Sequence, residues 1–502
     1  MFLEDTLMKK LFLAFVAITI VSSSVQAYSG GNGEPNTPYQ IATVADLLYL
    51  GSDDPNYDKC FVLTADIDLN PLLPGGQVFT TAVIARIDYP TPAFTGSFDG
   101  AGHKIFNLTI DTNGVGNSYL GLFGYIQNDD PCSKLVEIKN LHLENASITG
   151  ADGSNCLGGL AGWNSSGSIC NCSSSGTIAI ENSIVPQSRT LGGLVGYNDY
   201  GDINNCSSSV YVDGGCNTSG LGGLVGGNYH GNINNCFATG NVSGYATIQG
   251  EDCSGLGGLV GGNGDGTINK CYATGNVTGS GNLPNGAAGW DIGGFVGGNN
   301  GSSGFINNCY ATGTVTSSFW NTGGLVGSNY YSNISYCYST GAVFCTFDGS
   351  YGGLVGFNDY GTVTASFWDI NTSGLSISDG GTGQTTAQMK TLSTFTNAGW
   401  DFVGETANGT EDIWWILQNI TYPKFNWQRM LPPGPGGPGP GHGDGGIYFP
   451  DYNFDGVVNF IDFAILANAW MTENPFISLD NDNDVDMYDL KIFCDYWLSY
   501  TN

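Results

Sequence analysis

Apolar positions along this chain recur in short blocks rather than in a helical rhythm. From about residue 120, brief runs rich in Val, Ile, Thr and Tyr are cut by Gly and Asn, and no 3.6-residue period crosses them. The string Gly-Gly-Leu-Val-Gly-x-Asn, or a close variant, begins at Gly158, Gly192, Gly222, Gly257, Gly293, Gly323 and Gly352, at intervals of 29 to 36 residues. A worn copy, Leu120-Gly121-Leu122-Phe123-Gly124, lies upstream. Twelve residues after Leu160, Leu194, Leu224, Leu259 and Leu325 stand Cys172, Cys206, Cys236, Cys271 and Cys337, and twelve after Leu354 stands Ser366. Phe295 reaches Cys309 after fourteen, an insertion of two at or near Ser302-Ser303. An aliphatic residue precedes each by three: Ile169, Ile203, Ile233, Ile268, Ile306, Ile334 and Val363.

Three strand-like runs per repeat, with length variation confined to one segment, predict a mainly β fold. It is a parallel β-helix (β-solenoid) of about 30-residue, three-sided coils. One coil cannot bury its own inward face, but a stack about 4.8 Å per layer buries a continuous column. Leu194, Leu224 and Leu259 then form one apolar ladder, and Ile203, Ile233 and Ile268 another. Asn198, Asn228 and Asn263 fall just after a strand, where stacked amides hydrogen-bond along the axis. The paired glycines are expected to supply tight corners and positive φ. Seven copies also fit a closed propeller, but the repeats are shorter than the roughly 40 to 50 residues of a blade and lack four clear strands. Residues 28–118 read as an N-terminal cap with a helical candidate over 45–50, 119–370 as the solenoid, and 371–430 as a C-terminal cap. In the latter, Trp400, Trp414, Trp415 and Trp427 are available to cover the open end.

Charge narrows the partners. Lys plus Arg number 13 against 44 Asp plus Glu, a formal charge of −31, which argues against nucleic acid, anionic membrane surfaces and acidic polysaccharides. At the start, Lys9 and Lys10 precede the apolar run 11–21 and small residues ending in Ala27, the layout of a secretory signal over 1–27 whose true start is Met1 or Met8. The expected location is secreted or cell-surface, and no other stretch is long and apolar enough for a membrane span.

Residues 431–446 are almost wholly Pro and Gly, a spacer that cannot bury a core. Beyond it, over 447–502, the chemistry changes. Asp451, Asn453, Asp455, Asn459 and Asp462 occupy positions one, three, five, nine and twelve of an EF-hand-type calcium loop, with the Val457 carbonyl at seven and Gly456 at the sharp turn. Calcium is a hard cation that takes six to eight oxygens, and alternate residues of a tight loop aim them inward. Phe463, Leu466 and Trp470 follow at helical spacing, and the unit recurs 27 residues later. The second loop offers Ser478, Asp480, Asp482, Asp484, Asp486 and Asp489. Ser478 replaces the first Asp and Asn483 the Gly, so weaker binding is expected there.

Two families are resembled. Gly-Gly-Leu-Val-Gly followed by Asn-Asn-Cys-Tyr-Ala-Thr-Gly looks like the GLUG motif of bacterial secreted and surface proteins, which include adhesin-like chains and non-catalytic parts of immunoglobulin-cleaving metallopeptidases. That resemblance implies a β-solenoid and no activity. The paired calcium loops, each with one helix, resemble a type I dockerin, a small α-helical module that docks onto a cohesin on a scaffold or cell surface. It implies calcium as cofactor and recognition through loop positions ten and eleven, here Phe460-Ile461 and Met487-Tyr488. These are bulkier and more apolar than the hydroxyl pair often seen in that family.

The six column cysteines read as buried thiols acting as small hydrophobes, with disulfides between adjacent coils as the alternative. Cys170 and Cys172 are placed on one strand face. No catalytic constellation emerges. From 150 to 370 the cations are Arg189 and Lys270, in different coils, and His103, His142, His230 and His442 are scattered. Asp199, Asp202, Asp265, Asp291 and Asp359 sit in Gly/Asn turns, where a solvated turn residue outweighs a glycosidase carboxylate. The chain therefore reads as a non-catalytic solenoid presenting a polar and aromatic face for adhesion or glycan contact, tethered by its calcium module. Trp163, Tyr197, Tyr200, Tyr229, Tyr330 and Tyr360 are the candidate sugar-stacking rings. The alternative is a polysaccharide-degrading enzyme, or a component of such an enzyme complex, on the same scaffold.

Overall fold

A computed structural model describes residues 28–52, 54–86, 92–128, 136–181, 189–216, 219–246, 253–281, 289–346 and 349–429, together with Phe463, Leu466, Ala467, Leu490, Lys491, Phe493 and Cys494. It divides into two units, residues 1–383 and 384–502.

The first unit is a parallel β-solenoid. Equivalent strands of successive coils pair in register: Val195 with Val225, Val225 with Val260, Ile203 with Ile233, Ile233 with Ile268. The repeats hold five short strands, or four in the first and last, rather than the three the sequence predicts. In one coil they are Leu191–Gly192, Val195–Asp199, Asp202–Asn204, Ser207–Ser208 and Tyr211–Cys216. The extra strands arise because the Gly-Gly-Leu-Val-Gly run bends after its first Gly and the run after Cys breaks before Tyr211. An eleven-stranded sheet runs without interruption from Tyr39–Ile41 to Thr362–Thr364, so part of the segment read as a cap supplies its first rungs.

The core is the ladder set expected from the repeat: Leu194, Leu224, Leu259, Ile203, Ile233 and Ile268 are all fully buried. So are Cys206, Cys236, Cys271, Cys309 and Cys337, with Cys172 almost so, and all six are free thiols. Burial pushes the thiols of Cys172, Cys206, Cys236 and Cys309 well above their usual range. Successive coils are linked through the column: Cys172 N donates to Cys206 Sγ at 3.4 Å, Cys206 N to Cys236 Sγ at 3.3 Å and Cys236 N to Cys271 Sγ at 3.3 Å. Ser366 takes over that role for Cys337 at 3.1 Å. Cys170 does not share a face with Cys172. Asn171 between them is left-handed (φ 53°), which leaves Cys170 beside Asn204 on the partly exposed side of its strand.

The glycine pairs serve a different purpose from the one expected. Gly192, Gly193, Gly222 and Gly223 do not have positive φ. A Cβ on Gly223 would instead stand 2.2 Å from Gly258 O in the next coil, so the second Gly of each pair is demanded by backbone approach. The left-handed corners fall elsewhere, at Asn205, Asn235, Lys270 and Asn308 just before each column cysteine, and at Tyr200, His230 and Asp265 after each ladder asparagine.

Both ends are closed. The helix Val44–Leu50 buries Leu47 and Leu50 against Ile41 and Phe61. Its capping box is reciprocal: Asp46 N donates to Thr43 Oγ1 at 3.2 Å and Thr43 N to Asp46 Oδ2 at 2.9 Å. At the other end the last rung finds its partners in residues 368–383. Gly353 N donates to Ile377 O at 2.9 Å, Val355 N to Ser378 Oγ at 2.9 Å, and Trp368 packs on Gly353. Trp368, not singled out in the sequence, is buried in the solenoid core. Trp400 and Trp414 pack on each other, at 4.7 Å between rings, in the second unit, beside Phe395, Phe402 and Phe425.

Candidate functional site

The Asn ladder is the most regular polar feature. Asn164, Asn198, Asn228, Asn263, Asn299, Asn329 and Asn358 form an unbroken chain, each Nδ2 donating to the next Oδ1 at 2.8 Å. They lie inside strands rather than just after them, and a second N–H of several amides caps the corner, as Asn228 Nδ2 does to Gly231 O at 3.0 Å. The chain begins at Asn164, whose Oδ1 is buried without a donor because Ile126 occupies the rung before it.

Aromatic rings also stack by register. Phe237, Tyr272, Tyr310 and Tyr338 form a column with centroids 4.9 to 5.0 Å apart and planes within 7°. They occupy the position after each column cysteine, so the repeat text held the signal. Of the six candidate rings, Trp163 is packing: it lies against Tyr119, Tyr125 and Tyr197 at 5.2 to 5.8 Å. Tyr330 is partly buried against Phe357. Tyr200, Tyr229 and Tyr360 are exposed at corners. Tyr200 stacks on His230 at 4.5 Å, and Tyr229 meets the same imidazole edge-on at 4.1 Å. Tyr360, 76% exposed, stacks on Tyr331 at 5.0 Å. One platform escaped the sequence reading: Trp290, 43% exposed, stacks on Trp320 at 5.7 Å and 15°. Both lie just ahead of the glycine pair, in the segment where spacing varies and no repeat signal survives.

The turn carboxylates are held by neighbouring side chains of the next coil. Asp202 Oδ1 accepts from Asn232 at 2.8 Å, and Asp291 Oδ1 from Asn321 at 2.8 Å. Asp265 accepts the N–H and hydroxyl of Ser303, which keep its carboxyl below the usual range. Burial raises Asp199, with His230 opposing, and raises Asp291. His103 lies 3.1 Å from Asp66, and His142 2.8 Å from Ser173, its imidazole lowered by burial. Among the described residues no three or more His, Cys, Asp and Glu are grouped to hold a metal, and no helix is long and apolar enough to cross a membrane.

The expected calcium ligands Asp451, Asn453, Asp455, Val457, Asn459, Asp462, Ser478, Asp480, Asp482, Asp484, Asp486 and Asp489 lie outside the described residues. So do the recognition residues Phe460, Ile461, Met487 and Tyr488, and the signal over 1–27. What is described of the terminal module is helical: Phe463, Leu466 and Ala467, and Leu490, Lys491, Phe493 and Cys494. Leu466 and Phe493, equivalent under the 27-residue period, are both fully buried, and the Phe463 and Phe493 rings are 5.8 Å apart.

Comparison with known proteins fits the coil geometry. The family model described as the GLUG motif matches residues 153–179, 187–212, 217–243, 252–278 and 320–343. Five of the coils carry the GLUG motif. The coil carrying Phe295 and the Ser302-Ser303 insertion is not among the five stretches, yet it keeps register, with Val296 opposite Val260. Halomucin of Haloquadratum walsbyi is 34% identical over 166 residues, 32% of this chain and 2% of that protein. A protein of Evansella cellulosilytica, named as a candidate Gly-rich membrane protein, is 36% identical over 107 residues, 20% of this chain and 11% of its own length. This chain thus spans a small fraction of either relative. Among solved structures, one described as a candidate immunoglobulin A1 protease from Bacteroides ovatus aligns at 18% identity and a TM-score of 0.41, over 80% of this chain and 96% of that one. An IgA1 protease aligns at 17% and 0.37, over 65% and 21%.

Proposed function

We propose that this chain is a secreted or surface-displayed, non-catalytic binding scaffold whose GLUG solenoid presents exposed rings to glycans, tethered by a calcium-dependent dockerin-like module. The observation that carries the reading is the register of the coils: it sets Tyr200 on His230, Trp290 on Trp320 and Tyr331 on Tyr360 as stacked rings along one rigid axis. Sugar rings pack their C–H faces on such surfaces, and a net charge of −31 favours neutral over acidic glycans. The likeness to halomucin and to a protein named as a Gly-rich membrane protein supports display outside the cell. The burial of Leu466 and Phe493 at equivalent positions supports two similar helices facing each other in the terminal module.

The test has two arms. The full chain is offered a panel of insoluble and soluble polysaccharides, and binding is read by depletion while reducing-sugar and unsaturated-uronate release are followed. Binding without release is expected; release would replace the scaffold with the enzyme reading. Calorimetric titration with Ca²⁺ is expected to show two sites, with loss of the tighter one in Asp451→Ala and Asp462→Ala. A heat trace unchanged by either substitution would remove the calcium module from the proposal.

A further inference from the structure

The corner two residues after the ladder asparagine is left-handed in coil after coil, and its side chain changes: Ser166, Tyr200, His230, Asp265, Tyr331 and Tyr360 have φ between 52° and 61°. Serine and aspartate both meet that backbone, so the corner does not require an aromatic ring, and bulky residues rarely adopt it. Tyr331 and Tyr360 nevertheless take it on adjacent rungs. Their rings lie 5.0 Å apart with planes 7° from parallel. Both face solvent, at 57% and 76% exposure.

The backbone beneath the pair holds it in register. Tyr331 N donates to Asp359 O at 3.0 Å, and Tyr330 forms a bridge with Tyr360. Asn329 Nδ2 donates to Ser332 O at 3.0 Å and to Asn358 Oδ1 at 2.8 Å, while Asn358 Nδ2 donates to Gly361 O at 3.2 Å. The ladder therefore clamps both corners and joins one to the next. Other tyrosine contacts lack this combination. Tyr310 and Tyr338 also stack at 5.0 Å, but both are fully buried. Tyr28 is buried against Tyr39 and Tyr49. Tyr200, exposed at the equivalent corner, stacks on the His230 imidazole rather than on a phenol.

We infer that Tyr331 and Tyr360 are an oxidative modification site, a phenol pair that forms a dityrosine cross-link between the last two coils when the chain meets hydrogen peroxide and a peroxidase. Each phenol gives up one electron and its hydroxyl proton. The two radicals join through a bond between ring carbons ortho to the oxygens, Cε to Cε. The hydrogens on those carbons then move to the oxygens and restore both phenols. The two electrons and two protons released reduce one hydrogen peroxide to two waters. Radicals on adjacent rungs meet without a diffusional search, so coupling within the chain outruns coupling between chains. The bond ties together coils that otherwise hold to each other through packing and hydrogen-bonded ladders. It forms whether or not these rings also meet sugar.

The experiment treats the dilute full chain with a haem peroxidase and hydrogen peroxide, reads dityrosine fluorescence, and identifies linked peptides by mass spectrometry. Tyr331→Phe and Tyr360→Phe keep the ring stack but remove one phenol, and Tyr200→Phe serves as the control. A monomeric product in which the Tyr331 and Tyr360 peptides are joined, two hydrogens lighter than their sum, is expected. That linkage should be lost in Tyr331→Phe and in Tyr360→Phe, and kept in Tyr200→Phe. The parent unfolded in urea before oxidation should lose the selective 331–360 linkage, a comparison that holds even if a variant folds poorly. Oxidation of Tyr331 and Tyr360 without a bond between them overturns the site. So does linkage that joins only separate molecules, or the same linkage in equal yield from the unfolded chain.

Discussion

Two glycines that look interchangeable in the repeat text have opposite constraints at the residue scale. Gly223 faces Gly258 O so closely that a methyl must displace the next coil, whereas Gly262 meets nothing within 4 Å among the described residues. Gly223→Ala is expected to cost about 3 kcal/mol in chemical denaturation, and Gly262→Ala to stay within about 0.5 kcal/mol. Equal effects would mean that the coil spacing is wrong. The column cysteines are a second residue-scale case. Burial shields all six thiols from reagent, and at Cys172, Cys206, Cys236 and Cys309 it also disfavours the thiolate, the form that reacts. Brief iodoacetamide treatment of the native chain followed by peptide mass spectrometry should leave Cys172, Cys206, Cys236, Cys271, Cys309 and Cys337 unmodified, with all six alkylated after denaturation. Modification of the column in the native chain would place it at the surface. The positions of Cys, Ile and Leu were legible in the sequence because inward residues must repeat at fixed offsets for ladders to form. Trp290 and Trp320 were not, because outward positions are free to vary between coils.

Coupling between coils is concentrated in hydrogen-bonded ladders at the scale of the element. Asn228→Ala would leave Asn198 Nδ2 without its acceptor and Asn263 Oδ1 without its donor inside a dry column. The expected loss is about 3 kcal/mol, read from urea unfolding; a loss under about 0.5 kcal/mol would show the amides to be ornamental. The N-terminal helix carries a pH signature. Burial alone would raise the Asp46 carboxyl, but donors from Ser29, Ala42 and Thr43 outweigh it and hold it below the usual range. A depressed carboxylate stabilises the fold above its unfolded value near pH 4, and that contribution disappears as the pH falls through the lower folded value. Asp46→Asn should therefore lower the melting temperature at pH 7 and narrow the gap to the parent below about pH 3. A gap that persists in acid would assign the effect to shape rather than charge. Strand number was misread at this scale, since a bend inside a repeated string leaves no trace in residue spacing. The left-handed residue before each column cysteine, Asn in four coils, Lys270 and Tyr336 in the others, is the corner signal that spacing alone did not expose.

The solenoid, at the scale of the molecule, is a one-dimensional stack in which each coil is stabilised by its two neighbours. The thirty-residue period made this stack legible in the sequence. The ligand-facing surface was only partly legible, because function here lies in departures from the repeat. The central claim is that equivalent residues of successive coils lie over one another along a single axis. Its most direct test is pulsed electron-resonance distance measurement with spin-labelled non-natural residues at register-equivalent, outward positions: Asp202 paired with Asn333, and Asp202 paired with Thr362. These sites lie four and five rungs apart in one sheet. At about 4.8 Å per rung, backbone separations near 19 and 24 Å are expected, growing with each coil. A distance that falls between the first and last repeats, as in a closed ring of blades, would contradict the stack.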